Sequence, residues 1–405
     1  LNSDMGNSEV GHNVLGAGQV FMQGSSLVDK AIADESLFAT KAWQKALSLE
    51  KTQKTLHLIG LLSDGGVHSK LTHLFSLCQK AAESGLKKVR LHLLLDGRDV
   101  EDFTALDYVK KLEDFLVKLK NKTGCDLKIA SGGGRMHMTM DRYEADWAMV
   151  ERGWQHHVLG KGEAFSSASE AIKAARQKNP KLSDQYLPGF VIKENAKALG
   201  PMEDGDVVFA FNFRGDRMLE LVKAFEEDDF SHFERKKRPK VFFAGMLEYD
   251  PELKSPKNFL VSPPQIKNTL SEHLANLKVK QFACSETQKF GHVTYFWNGN
   301  KSGYFDKSLE EYLEIPSHQG PFDKRPWMKA FEITEATLAR LEKKSFDFGR
   351  INFANCDMVG HSGDLEASVT ALSVVDLMLG RLIEACKKNG YTLVVTADPG
   401  NCDEM

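Results

Sequence analysis

The stretch Leu56-His57-Leu58-Ile59-Gly60-Leu61-Leu62-Ser63-Asp64-Gly65-Gly66-Val67-His68 sets the reading of the chain. A short apolar run rich in Leu and Ile reads as a buried strand. It ends abruptly in a glycine-bearing, charged tip. The same pattern recurs outward along the sequence. The run 89–95 leads to Asp96-Gly97-Arg98-Asp99, and 127–130 leads to Ser131-Gly132-Gly133-Gly134-Arg135. The run 207–213 leads to Arg214-Gly215-Asp216-Arg217. The runs 351–354 and 392–396 lead to Asn355, Asp357, His361 and Asp398, and 241–244 is a further apolar run. Amphipathic stretches lie between many of these runs. The clearest is 365–386, where Leu365, Val369, Leu372, Val375, Leu379, Leu382 and Cys386 line one helical face. Asp364 caps its start, and Asn389-Gly390 suits its end. Helices alternating with buried strands indicate an α/β fold with a largely parallel sheet, and such sheets carry ligands at the strand carboxyl ends. The motif His292-Val293-Thr294-Tyr295-Phe296-Trp297, followed by Asn298-Gly299, reads as a strand entering a hairpin.

Composition narrows the class. The chain has 405 residues, enough for two or three domains, and 53 basic residues against 56 acidic ones. That balance argues against a nucleic-acid partner. No apolar run reaches the roughly 20 residues that cross a bilayer, so no membrane partner is expected. Six scattered cysteines with no C-x-x-C pair suit a reducing, cytoplasmic compartment. The first residue is Leu1, so a processed chain or a fragment is expected.

The tips fall into two chemical groups. Arg98, Arg135, Arg142, Arg214 and Arg217 match phosphate or carboxylate with paired donors and suggest a small polyanionic substrate. Nearby Asp96, Asp99, Asp141 and Asp216 also allow plain ion pairing. Asp357, His361 and Asp398 offer ligands for a divalent ion, or are ordinary polar loop ends. The third element is Met5-Gly6-Asn7-Ser8-Glu9-Val10-Gly11-His12. Ser8 can be a nucleophile, paired with His12 or activated by a metal, or it can cap a helix. Phosphate-binding Walker loops and dinucleotide fingerprints are missing from the sequence.

Taken in order, these motifs resemble the cofactor-independent (2,3-bisphosphoglycerate-independent) phosphoglycerate mutases of the alkaline phosphatase superfamily. The carrying stretches are Asp4 through His12, Leu61 through Ser69, Asp96-Gly97-Arg98-Asp99, Met140-Asp141-Arg142, Asn212-Phe213-Arg214 with Asp216-Arg217, His292 through Phe296, and Asn355 through His361. The resemblance implies a two-domain α/β fold. A phosphatase-like metal-binding domain would be formed by 1–22 and 263–405, with a transferase domain, 23–262, inserted. It implies an isomerase that interconverts 3-phosphoglycerate and 2-phosphoglycerate through a phosphoserine. Ser8 would be the nucleophile. His68, Arg98, Asp99, Arg135, Arg142, Arg214, Arg217 and Lys289 would bind substrate. Ser8 and Asp398 would ligate one metal, and Asp357 and His361 a second. The ions would be Mn2+, with Mg2+ or Co2+ as alternatives, and no 2,3-bisphosphoglycerate would be needed. A cytoplasmic monomer acting in glycolysis is implied.

The sequence departs from the family pattern at three points. It begins after the family's upstream Asp ligand and ends at Met405, before a further His ligand. In Thr396-Ala397-Asp398-Pro399-Gly400-Asn401 the family His is Pro399, which has no ligand atom. The expectation is weak Mn2+ binding and little turnover. The competing readings are a phosphoglycerate-binding remnant without catalysis, and a related metal-dependent phosphatase or phosphomutase.

Overall fold

The structure is a computed structural model that describes residues 8–22, 24–142, 144–250, 253–264, 266–398 and 402. The chain separates into two compact units. Among the described residues, one unit runs from 24 to 263, and the other joins 8–22 to 264–398 and 402.

The first unit is built on eight strands: β1 Leu56–Leu62, β2 Lys88–Leu95, β3 Asp126–Gly134, β4 Glu163–Phe165, β5 Phe190–Glu194, β6 Lys197–Ala198, β7 Val207–Ala210 and β8 Phe242–Ala244. The spatial order is β4-β5-β3-β2-β1-β7-β8, with β6 paired to β5. The central pairs β3-β2, β2-β1, β1-β7 and β7-β8 are all parallel. Parallel strands are covered on both faces, which explains their largely apolar sequences. Alternation sends Leu56, Leu58 and Leu62 to one face and Ile59 and Leu61 to the other. The first face packs on the helices Leu71–Glu83 and Ala105–Thr123. In the latter, Ala105, Val109, Leu112, Leu116 and Leu119 form the buried stripe, and Gly124 ends it at a left-handed φ of 77°. The second face packs on Trp154, Leu221, Val222 and Phe225. Each fully buried Leu or Phe contributes about 1.5–3 kcal/mol.

The β3 strand is longer than its apolar run predicts, because Ser131 to Gly134 continue it. Those glycines serve close packing: a Cβ at Gly132 would lie 2.6 Å from the Phe190 ring.

The second unit holds β9 Gln281–Glu286, β10 Glu310–Ile315 and β11 Phe348–Asn352, parallel in the order β10-β9-β11. Phe282, Cys284, Ile333, Leu341, Phe346, Leu382 and Cys386 form its core. Three sequence expectations are corrected here. Residues 292–296 form a helical turn of π type instead of a strand. There the Thr294 hydroxyl bonds the Phe290 carbonyl at 2.7 Å, a local bond that competes with strand pairing. Residues 392–396 pair with no strand among the described residues, and Val394 is 82% exposed. Their β-branched composition supplies propensity but no partner. The helix Leu365–Asn389 has its Asp364 cap and a left-handed Gly390 as expected, and it buries Leu382 and Cys386 as expected, but the first part of its buried stripe differs. Ala367, Ala371, Met378, Leu382 and Cys386 are inside, while Leu365, Val369 and Leu372 are exposed. The small side chains let the helix approach Met328 and Val359.

A buried polar chain crosses the first unit's sheet. Asp206 Oδ2 accepts from His57 Nε2 at 3.2 Å. His57 Nδ1 then accepts from His92 Nε2 at 2.9 Å, and His92 Nδ1 accepts from the Ser131 hydroxyl at 2.7 Å. Ser131 accepts in turn from His157 Nδ1 at 2.7 Å. The carboxylate at one end fixes the direction of every bond. Burial holds the imidazoles neutral, taking His157 down to about 3 and His57 and His92 below their ordinary range. Unfolded histidines take protons below about pH 6.5. The fold therefore has its full stability above that pH and loses it as pH falls toward the depressed folded values. Three such groups give a slope of up to about 4 kcal/mol per pH unit. Urea unfolding from pH 7.5 to pH 5 should show a steep fall in midpoint, and a flat profile would refute the chain as drawn.

Candidate active site

In the second unit, the helix Ser8–Ala17 opens on Ser8, which is buried. The helix reaches its place because of its glycines. A Cβ at Gly11 would lie 2.6 Å from the Asp398 carbonyl oxygen, and one at Gly16 would strike the Trp297 carbonyl. The Ser8 hydroxyl accepts a hydrogen bond from Lys289 Nζ. Lys289 is itself buried, pairs with Asp357 Oδ2 and lies 3.8 Å from Asp398 Oδ2. His361 Nε2 stands 3.4 Å from Asp357 Oδ1, one turn apart across the helix Asn355–Gly360. Ser8, Asp357, His361, Asp398 and Lys289 are thus one cluster.

His12 bonds the Ser8 main chain and not its hydroxyl. Its Nδ1 bonds the Ser8 main-chain carbonyl at 2.8 Å and lies 3.4 Å from Asp398 Oδ2. Burial lowers the His12 pKa. The Ser–His pairing allowed by the spacing is replaced by a Ser–Lys contact. His292, passed over in the sequence, stacks edge-on to His12 with ring centroids 5.3 Å apart. Burial, then Lys289, takes it down to about 3. The signal was present in the 292–297 motif, but its aromatic residues read as a strand.

The first unit carries the other cluster at its strand tips. Arg135 is 1% exposed and reaches Asp96 Oδ1 at 2.8 Å and Asp99 Oδ2 at 2.5 Å. Asp96 also accepts from the Ser63 hydroxyl and from the main-chain N–H groups of Arg98 and Asp99. The tips of β1, β2 and β3 are therefore tied together by one carboxylate. Gly65 fits this knot, since a Cβ there would lie 2.5 Å from the Asp99 carbonyl oxygen. Arg214 and Arg142 face Asp216 at 3.2 and 3.9 Å. Arg217 donates to the Met140 carbonyl at 2.7 Å, and burial followed by the charges of Arg135 and Arg142 lowers its pKa. His68 is buried beside them, 3.7 Å from Asp216. Burial, then Arg135, Arg214, Arg217 and Arg142, takes it down to about 2, so it is neutral at pH 7. Arg98 adds its charge at the edge of the group. Five guanidinium groups beside Asp96, Asp99, Asp141 and Asp216 leave a small positive excess at these tips, which attracts an anion. Lys289 lies in the other unit, within the Ser8 cluster.

Residues 28–251 match the family model described as BPG-independent PGAM N-terminus. The chain is 54% identical over 403 residues to a probable 2,3-bisphosphoglycerate-independent phosphoglycerate mutase of Leptospira interrogans, covering 99% of this chain and 73% of that one. It is 50% identical over 405 residues to the 2,3-bisphosphoglycerate-independent phosphoglycerate mutase of Trypanosoma brucei brucei, covering 100% of this chain and 73% of the relative. The chain belongs to the 2,3-bisphosphoglycerate-independent phosphoglycerate mutase family. A crystal structure of Leishmania mexicana phosphoglycerate mutase at low cobalt concentration superposes with a TM-score of 0.70 at 49% identity, covering 100% of this chain and 74% of that one.

Among the described residues, no three His, Cys, Asp or Glu side chains are grouped as a ready-made metal cage. The donor chemistry nevertheless suits a divalent cation. A serine oxygen and two carboxylates surround the Lys289 ammonium, which is a positive charge at the point where they converge. Asp398 Oδ2 is buried and receives no hydrogen bond among the described residues. Oxygen donors with one imidazole match Mn2+ or Mg2+ better than softer ions. Pro399 lies outside the described residues, as do Leu1 to Asn7 and Met405.

Proposed function

We infer that the chain interconverts 3-phosphoglycerate and 2-phosphoglycerate, with Ser8 carrying the phosphoryl group between the two hydroxyls. The observation that carries this reading is the Ser8 hydroxyl held by a buried ammonium beside two carboxylates. Ser8 Oγ attacks phosphorus as the bond to the substrate oxygen breaks, and the serine proton passes to that leaving oxygen. A phosphorus–oxygen bond then forms to the other glycerate hydroxyl as the Oγ–phosphorus bond breaks, and that hydroxyl's proton returns to Ser8. Lys289 Nζ donates to Ser8 Oγ and favours its alkoxide form. Ser8, Asp357, His361 and Asp398 would hold divalent ions, Mn2+ in this reading, which when bound would neutralise the transferred group and lower the serine pKa. Arg98, Arg135, Arg142, Arg214 and Arg217 bind the phosphate and carboxylate of the substrate, Asp99 accepts from its hydroxyl, and neutral His68 offers it a hydrogen bond. In domain terms, the unit holding Ser8 is the phosphatase-like part and the 24–263 unit the transferase part. The enzyme works as a monomer in the cytoplasm. No helix among the described residues is long and apolar enough to cross a membrane.

The test is conversion of 3-phosphoglycerate with Mn2+ and without 2,3-bisphosphoglycerate. The expected result is 2-phosphoglycerate, abolished by EDTA, with a phosphorylated Ser8 peptide in quenched samples. Because Pro399 offers no imidazole, saturation should require excess Mn2+. Release of inorganic phosphate alone would identify a hydrolase, and tight substrate binding without any product would identify a binding remnant.

A further inference from the structure

The turn 292–296 seats the helix that carries Ser8, and one buried side chain supports the turn. A π step shifts the main-chain bonding by one residue. The N–H groups of Trp297 and Asn298 bond the carbonyls of His292 at 3.1 Å and Thr294 at 3.0 Å, passing over that of Val293. Arg350, in the middle of β11, donates from Nε to the Val293 carbonyl at 2.6 Å. It is buried, and its guanidinium carbon lies 5.4 Å from the Trp297 ring centroid and 5.3 Å from that of Tyr312. The two ring faces meet the charge that a carboxylate would usually meet inside a protein.

The turn passes this support on to the helix Ser8–Ala17. The Trp297 carbonyl meets that helix so closely that a Cβ at Gly16 would lie 2.0 Å from it. The His292 ring stacks edge-on to His12, whose Nδ1 bonds the Ser8 carbonyl. Asn352, two residues beyond Arg350 and on the same face of β11, donates from Nδ2 to His12 Nε2 at 3.4 Å. All of these residues belong to one unit.

We propose that Arg350 is a positioning residue for Ser8. By holding the turn against β11 it sets where the first helix sits, and so the line along which Ser8 Oγ meets phosphorus. This rests on reading Ser8 as the nucleophile. Arg350 acts through the turn and not on the reacting atoms. Substrate is held, in the same reading, by the arginines of the other unit. A small displacement of the helix therefore costs alignment in the transition state and leaves substrate binding as it was. Misplacement by about 1 Å is enough to slow a reaction roughly a hundredfold.

The experiment compares the parent chain with Arg350→Met and Arg350→Lys. Steady-state kinetics with Mn2+, phosphoserine formation in quenched samples and backbone hydrogen exchange are measured on each. Arg350→Met keeps bulk between the two rings but loses the donor and the charge. The expected result is a kcat and a rate of phosphoserine formation lowered about ten- to hundredfold, with KM unchanged. Amides of 8–17 and 292–297 should exchange faster, while those of β9 and β10 exchange as in the parent. Arg350→Lys keeps a cation and an N–H donor, so it should recover part of both losses. If Arg350→Met does not fold, Arg350→Lys should show the same pattern with smaller effects. A parental kcat in a folded variant, or a KM that rises as kcat falls, overturns the positioning role. Faster exchange throughout β9 and β10 would make Arg350 a general core residue and overturns it as well. A parent chain that forms neither 2-phosphoglycerate nor phosphoserine, while the exchange pattern holds, overturns the mutase reading. Arg350 would then support the helix without serving catalysis.

Discussion

Replacing Ser8 by alanine is expected to lower mutase activity by roughly 10^4-fold or more, since removing a covalent nucleophile deletes the first step and not merely a contact. The fold should survive. Ser8 contributes one buried hydroxyl whose partner Lys289 retains its pairing with Asp357. The loss of a single hydrogen bond costs about 1 kcal/mol. The variant should therefore unfold within a few degrees of the parent while forming neither 2-phosphoglycerate nor a phosphorylated peptide. His12 separates this mechanism from a Ser–His pair. Because its Nδ1 serves the Ser8 carbonyl, His12→Gln should leave a phosphoserine detectable in quenched samples. If His12→Gln abolished phosphoserine as completely as Ser8→Ala, imidazole would be the base and the lysine contact incidental. If Ser8→Ala kept parental turnover, the phosphoserine route would be wrong.

Most residues that made the arginine cluster legible share one property: they follow apolar runs in a parallel sheet. β1, β2 and β3 are buried on both faces, so their sequences are largely apolar and their tips stand out. The shorter strands are harder to see. β9 reads Gln-Phe-Ala-Cys-Ser-Glu and β10 Glu-Glu-Tyr-Leu-Glu-Ile, and neither shows an apolar run, although β9 is buried throughout. Its polar groups are satisfied by distant partners, as Gln281 Nε2 is by the Ser271 carbonyl at 3.0 Å. Pairing of that kind has no local signature. The histidine chain is hidden for the same reason. His57, His92, Ser131, His157 and Asp206 are scattered in sequence. The register that puts Ile59 beside His92, and His92 beside Ser131, makes them neighbours. The helix Leu365–Asn389 shows the opposite case. Its end signals were read correctly, because caps are local, while the first part of its buried stripe was not, because the packed face is chosen by partners. In the Ser8 cluster the serine was visible, but its contact with Lys289 spans 281 positions.

The second large effect is expected at Arg135, and it concerns stability before catalysis. Arg135→Met removes the only guanidinium bonded to both Asp96 and Asp99 among the described residues, at a position 1% exposed. Two carboxylates would then face each other near the ends of β1, β2 and β3, with main-chain N–H groups and the Ser63 hydroxyl as their remaining donors. Breaking a buried ion pair from one side costs about 3–5 kcal/mol, most of it from the charges left behind. A unit of this size should lose roughly 6–20 °C in Tm on that account. Activity measured below the new melting point should fall as well, because the same knot aligns Arg98 and Asp99 at the tip of β2. A second substitution separates the two effects. Asp99→Asn in the Arg135→Met background removes part of the uncompensated charge, so it should recover a measurable share of the stability without restoring substrate binding. A surface ion pair would cost less than about 1 kcal/mol. A Tm for Arg135→Met within 2 °C (about 1 kcal/mol at this size) of the parent would therefore show that Asp96 and Asp99 are held by something other than this arginine.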